Sequence, residues 1–79
     1  MKYLAIPNDG PSDSTVKLIS YSKSNGEKII TGELIMEYET SKAIFELRSE
    51  YDGYISYFYD KDDEVEVGKP VCVIDNKPM

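Results

Sequence analysis

Short apolar runs separated by turn residues extend along the whole chain, and they predict strands. No segment keeps a helical period, and the apolar positions are rich in Ile, Val and Tyr, which fit a pleated surface. The runs are divided by turn signals at residues 8–13, 24–27, 60–63 and 68–70, which contain Asn, Asp, Gly or Pro. The spacing predicts seven or eight short strands in an all-β fold, a flattened β-barrel or sandwich of two antiparallel sheets.

The two halves of the chain repeat one pattern at an offset of 36 residues. Residues 18–21 read Leu-Ile-Ser-Tyr and residues 54–57 read Tyr-Ile-Ser-Tyr, while the same offset places Gly32 on Gly68. Each half reads as strand, acidic turn, short apolar strand, glycine and strand. Two such halves predict a sandwich with pseudo-two-fold symmetry, because a solenoid needs at least three units.

Length and composition limit the chemistry that the chain can perform. A chain of 79 residues is enough for one small domain, so we expect residues 1–79 to form a single unit. Cys72 is the only cysteine and histidine is absent, which excludes an internal disulfide, a zinc site and histidine-based acid–base or nucleophilic catalysis within this chain. Between Val71 and Val73, Cys72 reads as a small apolar core residue.

The charge pattern limits the partners. A formal net charge of −6 argues against nucleic acid or an anionic membrane as the main partner. No run approaches the ~18 apolar residues that a transmembrane helix needs, and the N-terminal residues lack a signal-peptide pattern. We therefore expect a soluble, cytoplasmic protein.

Residues 34–48 predict a β-hairpin with Ser41 and Lys42 at the centre of its turn. In this register, Tyr38 lies opposite Phe45 as an aromatic pair. One face of the hairpin is then apolar, consisting of Leu34, Met36, Tyr38, Ala43, Phe45 and Leu47. The other face is mostly charged, consisting of Ile35, Glu37, Glu39, Ile44, Glu46 and Arg48. A slip of one residue would mix the two faces, so pattern and register agree.

The predicted turn breaks a local rule. Two-residue hairpin turns favour Asn-Gly or Asp-Gly, and Ser41-Lys42 offers neither. A local choice that disagrees with the fold is often a functional site. Most exposed lysines, however, have no specific role. From the residues alone, two interpretations stay open: Lys42 is an attachment point for a cofactor, or it is a solvated charge in a wider loop.

The segment Glu39-Thr40-Ser41-Lys42-Ala43 resembles the Glu-Thr-Asp-Lys-Ala motif of lipoyl domains, in the biotinyl/lipoyl carrier family. A glycine eleven residues after the lysine is a landmark of that family, and Gly53 stands there. Residues 65–71 are similar to the closing pattern Val-x-Val-Gly-x-x-hydrophobic and include Gly68, while residues 25–34 resemble the upstream pattern and include Gly32. The resemblance covers residues 2–74 at consistent spacing.

The resemblance implies a specific site and specific partners. It implies a barrel-sandwich hybrid fold in which lipoate is attached covalently to Lys42, with Glu39, Thr40, Ser41 and Ala43 flanking the attachment site. Gly32, Gly53 and Gly68 are expected as structural turns. The expected partners are a lipoyl ligase or transferase and the dehydrogenase and acyltransferase enzymes of a 2-oxo acid dehydrogenase-type complex. Such a domain does not catalyse alone; it is a carrier, free-standing or part of an acyltransferase component.

Several departures from the family pattern leave other interpretations open. Ser41 replaces the usual acidic residue before the lysine, and residues 6–10 diverge from the family's Met-Pro-x-Leu-Gly segment, which helps partners choose their carrier. Biotinyl domains carry Met on both sides of the lysine, and this chain has neither, so biotin fits less well than lipoate. The alternative from another class is an unmodified lipoyl-like interaction or structural module associated with another enzyme.

Overall fold

The computed structural model describes residues 1–7 and 14–78, so the loop predicted at 8–13 lies outside the described residues. These residues contain β1 (Lys2–Ala5), β2 (Thr15–Tyr21), β3 (Lys28–Ile29), β4 (Leu34–Glu39), β5 (Ile44–Arg48), β6 (Gly53–Tyr57), β7 (Glu64–Glu66) and β8 (Pro70–Asp75). The strands form two four-stranded antiparallel sheets, ordered β1-β8-β6-β3 and β5-β4-β2-β7. The predicted all-β sandwich of two antiparallel sheets is confirmed, and its flattened sheets do not close into a barrel.

The offset of 36 residues relates one sheet to the other. It carries β2, β3 and β4 onto β6, β7 and β8, and β5 takes the place of β1. Backbone hydrogen bonds repeat with the strands: Ser22 N donates to Ile35 O, and Phe58 N donates to Val71 O, both at 3.0 Å. The repeat seen in the sequence is therefore a repeat of backbone geometry, and the predicted pseudo-two-fold symmetry is confirmed.

The turns before equivalent strands also match. Gly32 and Gly68 precede β4 and β8 with φ angles of 92° and 90°. In the acidic turns, Gly26 has φ of 86°, while its counterpart Asp62 has φ of 74°. Asp is one of the few residues with a side chain that tolerates this left-handed conformation. The same left-handed backbone conformation is thus adopted by a glycine in one half and by an aspartate in the other.

The core lies between the two sheets and draws side chains from both. Its fully buried members are Ile6, Leu18, Ile29, Ile35, Met36, Ile55, Val65, Val71, Cys72 and Ile74. The prediction that Ile35 lies on the charged face of the hairpin is wrong, because the β4–β5 register shifts between Leu34 and Met36. Such a bulge adds one residue to a strand and breaks its alternation. The equivalent shift in β8 buries Val71, between the positions paired with Ala5 and Leu4.

Gly53 begins β6 instead of occupying the turn that the sequence predicts, and it packs closely against β8. A Cβ atom at this position would lie 2.4 Å from the Asp75 carbonyl oxygen and 2.7 Å from Ile74 Cγ2. Real Cβ atoms essentially never approach backbone so closely. The absence of a side chain is therefore what lets β6 and β8 approach here.

Replacing Gly53 with Ala is expected to lower the free energy of unfolding by about 2 kcal/mol or more, because the new methyl group overpacks the sheet. The measurement is urea denaturation followed by circular dichroism. The matched control is Gly26→Asp, because Gly26 has open space around it and Asp62 already adopts the same φ region. We expect the control to lose about 1 kcal/mol, the cost of placing a side chain in the left-handed region. Equal losses in the two variants would contradict the close-approach explanation.

Tyr21 and Tyr57, which are related by the offset, stack on each other with ring centroids 3.9 Å apart and an interplanar angle of 10°. Burial raises the pKa of both hydroxyls from 10.0 to about 12, and the charges of Asp60 and Asp63 add to the effect at Tyr21. Burial also raises the pKa of the Cys72 thiol from 9.0 to about 12. The predicted core position of Cys72 is confirmed, since its side chain is fully buried.

These shifts predict an alkaline loss of stability. All three groups hold their protons more tightly folded than unfolded, so their contribution is complete below about pH 9 and is lost as pH rises towards 12. The buried Tyr21 hydroxyl has no hydrogen-bond partner among the described residues, whereas the Tyr57 hydroxyl donates to Ile35 O at 3.4 Å. Tyr21→Phe should therefore remove one of the three contributions to the alkaline loss without lowering stability at pH 7, while Tyr57→Phe should cost about 1 kcal/mol at pH 7. Urea denaturation between pH 7 and pH 12 checks both, and a Tyr21→Phe profile parallel to the wild type would refute the assignment.

Candidate functional site

The hairpin of β4 and β5 holds the candidate lysine at its tip. Tyr38 pairs with Phe45, and the pairing runs from Glu39 opposite Ile44 to Met36 opposite Leu47. The Thr40 amide donates to the Ala43 carbonyl at 2.9 Å, which leaves Ser41 and Lys42 at the centre of the turn. The predicted register is confirmed between the tip and Met36, and it differs beyond Met36 because of the bulge.

Lys42 is exposed at this tip. Within residues 1–7 and 14–78, the ion pairs join Lys23 to Glu33, Arg48 to Glu46 and Lys69 to Glu66, and none of them involves Lys42. Its side chain is thus presented to solvent with no carboxylate of the described residues holding its ammonium group. A lysine in this position is accessible to a modifying enzyme.

Thr40 holds the turn together through its side chain. The Thr40 hydroxyl oxygen accepts hydrogen bonds from the Lys42 amide at 3.1 Å and from the Ala43 amide at 3.2 Å. The hydroxyl group also donates to the Ala43 carbonyl at 3.2 Å. Sequence reasoning named Thr40 only as a flanking residue and missed this role. The available signal was a hydroxyl residue directly before a two-residue turn that lacks Asn and Gly.

The apolar face of the hairpin becomes exposed towards the tip. The predicted pair of Tyr38 and Phe45 is stacked, with ring centroids 5.8 Å apart. Tyr38 is buried, but Phe45 is 39% exposed and Ile44 on the opposite face is 56% exposed. Ala43 is also exposed. The core therefore ends before the turn, and apolar side chains within three residues of Lys42 are available for contact.

The outer face of the same sheet is acidic. On the hairpin, Glu37 lies opposite Glu46, Ser20 Oγ donates to Glu37 Oε1 at 3.0 Å, and Arg48 bonds Glu46 at 2.9 Å. The hairpin also carries Glu39 on this face, and the neighbouring strand β2 places the basic Lys17 opposite it.

Strand β7 adds carboxylates that sequence reasoning did not assign to the site. Lys17 lies opposite Glu64, and Thr15 lies opposite Glu66, so both glutamates lie towards the end of the sheet where the turn with Lys42 is, although on the edge strand farthest from β5. Nothing local connects β7 with the hairpin, because the two meet only through β2. The divergent segment at residues 6–10, which the resemblance places beside the lysine, falls largely outside the described residues, although Ile6 itself is fully buried.

A cavity of about 390 Å³ lies between the start of β1, the β3–β4 and β5–β6 connections and the end of β8, at the opposite end of the hairpin from the turn. It is lined in part by Lys2, Thr31, Tyr51 and Asp52. The Thr31 amide and hydroxyl donate to Asp52 Oδ1 at 2.7 and 2.9 Å, and the amide bond is the main cause of a lowered pKa at Asp52. These bonds tie the β3–β4 connection to the segment before β6. The cavity takes no part in presenting Lys42.

The described part of the chain contains neither a candidate metal site nor a candidate membrane span. Among residues 1–7 and 14–78, no three His, Cys, Asp or Glu side chains are grouped so that they can hold a metal ion. The same residues include no helix that is long and apolar enough to cross a membrane.

Comparison with known proteins places this geometry in a family. A family model for biotin and lipoyl domains, described as "Biotin-requiring enzyme", matches residues 2–74. The chain is 29% identical over 73 residues to the dihydrolipoyllysine-residue acetyltransferase component of the mitochondrial pyruvate dehydrogenase complex of Caenorhabditis elegans. That match covers 90% of this chain and 14% of the relative, so the chain spans about one seventh of the relative's length.

A solved structure shows the same fold. The lipoyl domain of the 2-oxoglutarate dehydrogenase complex from Azotobacter vinelandii superposes with a TM-score of 0.78 at 25% sequence identity. The superposition covers 95% of this chain and 96% of that one. The family match extends over nearly all the described residues and includes the hairpin with Lys42. The chain therefore belongs to the biotin and lipoyl domain family, and within that family it is similar to the lipoyl domains of 2-oxo acid dehydrogenase complexes.

Proposed function

We propose that this domain carries lipoate on Lys42 and passes acyl groups and reducing equivalents between the enzymes of a 2-oxo acid dehydrogenase-type complex. The observation that carries the proposal is the position of Lys42: it is a central, exposed residue of the hairpin turn, in a chain that belongs to the biotin and lipoyl domain family. The domain then acts as a carrier and not as a catalyst, either free-standing or as part of an acyltransferase component.

The protein and the cofactor have different roles in this function. When attached, lipoate supplies a dithiolane that accepts an acyl group and two electrons, which is chemistry that no side chain of this protein offers. The sandwich supplies a rigid base, and the hairpin turn fixes where the arm begins. Tethering the arm keeps its effective concentration high at each partner's active site. We expect the fold to contribute position and recognition only.

The acidic face gives partners a surface to recognise. Acylation removes the positive charge of Lys42, so the field around the tip becomes more negative. On the hairpin, the carboxylates of this face are those of Glu37, Glu39 and Glu46. Basic rims on the dehydrogenase and acyltransferase partners would be steered towards such a surface, which raises association rates more than affinity.

The modifying enzyme has a further requirement. A lipoyl ligase or transferase must receive Lys42 with its amine deprotonated during transfer, held at the end of the hairpin.

Biotin remains the less favoured cargo, because Ser41 and Ala43 stand where biotinyl domains carry methionine. A cytoplasmic location, and a single domain spanning residues 1–79, stay predictions.

Attachment is tested by intact-mass spectrometry after expression with lipoate and a lipoyl ligase. We expect the wild type to gain the mass of one lipoyl group, and Lys42→Arg, which keeps the charge, to gain none. If the wild type stays unmodified while a control carrier in the same cells is modified, the result would favour the hypothesis of an unmodified module. A gain that persists in Lys42→Arg would place the site elsewhere, and modification only by a biotin ligase would assign biotin.

The geometry of the tip is tested by inserting one glycine between Ser41 and Lys42. We expect this insertion to abolish lipoylation, because the lysine leaves the centre of the turn, while the urea midpoint stays near that of the wild type. The control is one glycine inserted between Asn76 and Lys77, after β8 ends. The control should be modified normally. Normal modification of the turn insertion would show that the hairpin-tip position is not what the ligase reads.

A further inference from the structure

The turn that presents Lys42 lacks the residues that normally build it. The favoured two-residue hairpin turns require positive φ at one or both central residues, because that twist matches the twist of the strands. Among the described residues other than glycine, only Asp62 has a positive φ, so Ser41 and Lys42 both adopt ordinary negative values. A turn of this kind splays the two strands unless other bonds close it.

The Thr40 side chain supplies those bonds. Its oxygen accepts from the amides of Lys42 and Ala43, and its proton goes to the Ala43 carbonyl. A hydroxyl group has one donor and two acceptor sites, so the hydrogen-bonding capacity of this side chain is fully used within the turn. The Thr40 backbone amide adds a further bond to the same carbonyl, at 2.9 Å.

We propose that Thr40 is a positioning residue for the modification of Lys42: its hydroxyl group replaces the missing Asn-Gly turn and pre-organises the lysine for the modifying enzyme. This inference rests on the proposed function of Lys42 as the lipoyl attachment site. The hydroxyl does not touch the reacting amine; it acts through the backbone of Lys42 and Ala43. A turn that already has the bound shape lowers the ordering cost that the enzyme meets on binding.

The test measures kcat/KM of a lipoyl ligase on the whole domain for four proteins: wild type, Thr40→Val, Thr40→Ser and Thr31→Val. Valine keeps the branched shape of threonine but removes the hydroxyl group. We expect kcat/KM to fall about fivefold for each lost hydrogen bond to an amide and about thirtyfold for both. Serine keeps the hydroxyl group and should restore the wild-type value within about twofold. Thr31→Val makes the same chemical change at the exposed Thr31, whose hydroxyl bonds Asp52 away from the tip, and should leave kcat/KM unchanged.

A second readout separates positioning from general stability. Amide hydrogen exchange, followed by NMR on the unmodified proteins, should accelerate several-fold at Lys42 and Ala43 in Thr40→Val, and at neither of them in Thr31→Val. Unchanged exchange at these two amides would overturn the inference, as would equal kcat/KM for Thr40→Val and the wild type.

The remaining outcomes are also decisive. If Thr40→Ser is as slow as Thr40→Val, or Thr31→Val slows the reaction as much, the hydroxyl of Thr40 is not the positioning group. A wild type that the ligase leaves unmodified at Lys42 would refute the proposed function itself, which the same assay reports separately.

Discussion

Burial of the two inner sheet faces against each other is the constraint on which the rest of the structure depends. Each four-stranded sheet covers the inner face of the other, because a chain of this length builds only one thin core. Fully buried residues come from both sheets, including Ile35 and Met36 from β4 and Val71 and Cys72 from β8. Both strands lie inside their sheets: β4 pairs with β5 and β2, and β8 pairs with β1 and β6.

The pseudo-two-fold symmetry holds for the side chains of the inner sheet faces but not for those of the outer faces. Glu37 pairs with Glu46 on the outer face of one sheet, whereas the equivalent pair on the other sheet is Val73 and Tyr3. The inner faces must match because they share one core, but the outer faces are free to differ. The acidic face is therefore not a consequence of the repeat, and it lies on the sheet that carries Lys42.

The hairpin tip is also where the two halves differ in connectivity. Strands β4 and β5 are joined by the turn with Lys42, whereas their counterparts β8 and β1 pair with each other from opposite ends of the chain. One half of the symmetric frame thus ends in a closed turn, and the register of that turn is anchored by Tyr38 opposite Phe45. The paired strands of the hairpin therefore hold Lys42 at one end of the sandwich, while its side chain stays outside the core.

The sequence by itself determined the strand content, the internal repeat and the hairpin register near the tip, because alternation with a period of two permits only one register for an apolar face. Tertiary structure decided the rest. The bulge that buries Ile35 depends on how β4 meets β5, and the approach of Gly53 to β8 joins positions far apart in the chain. Glu64 reaches the face that carries Lys42 only through β2, and the Thr40 hydroxyl closes the turn only once the strands fix its backbone. The bulge, the close approach of Gly53 and the position of Glu64 depend on contacts between segments that no local pattern records, whereas the Thr40 bonds had a local signal in the hydroxyl residue directly before the turn.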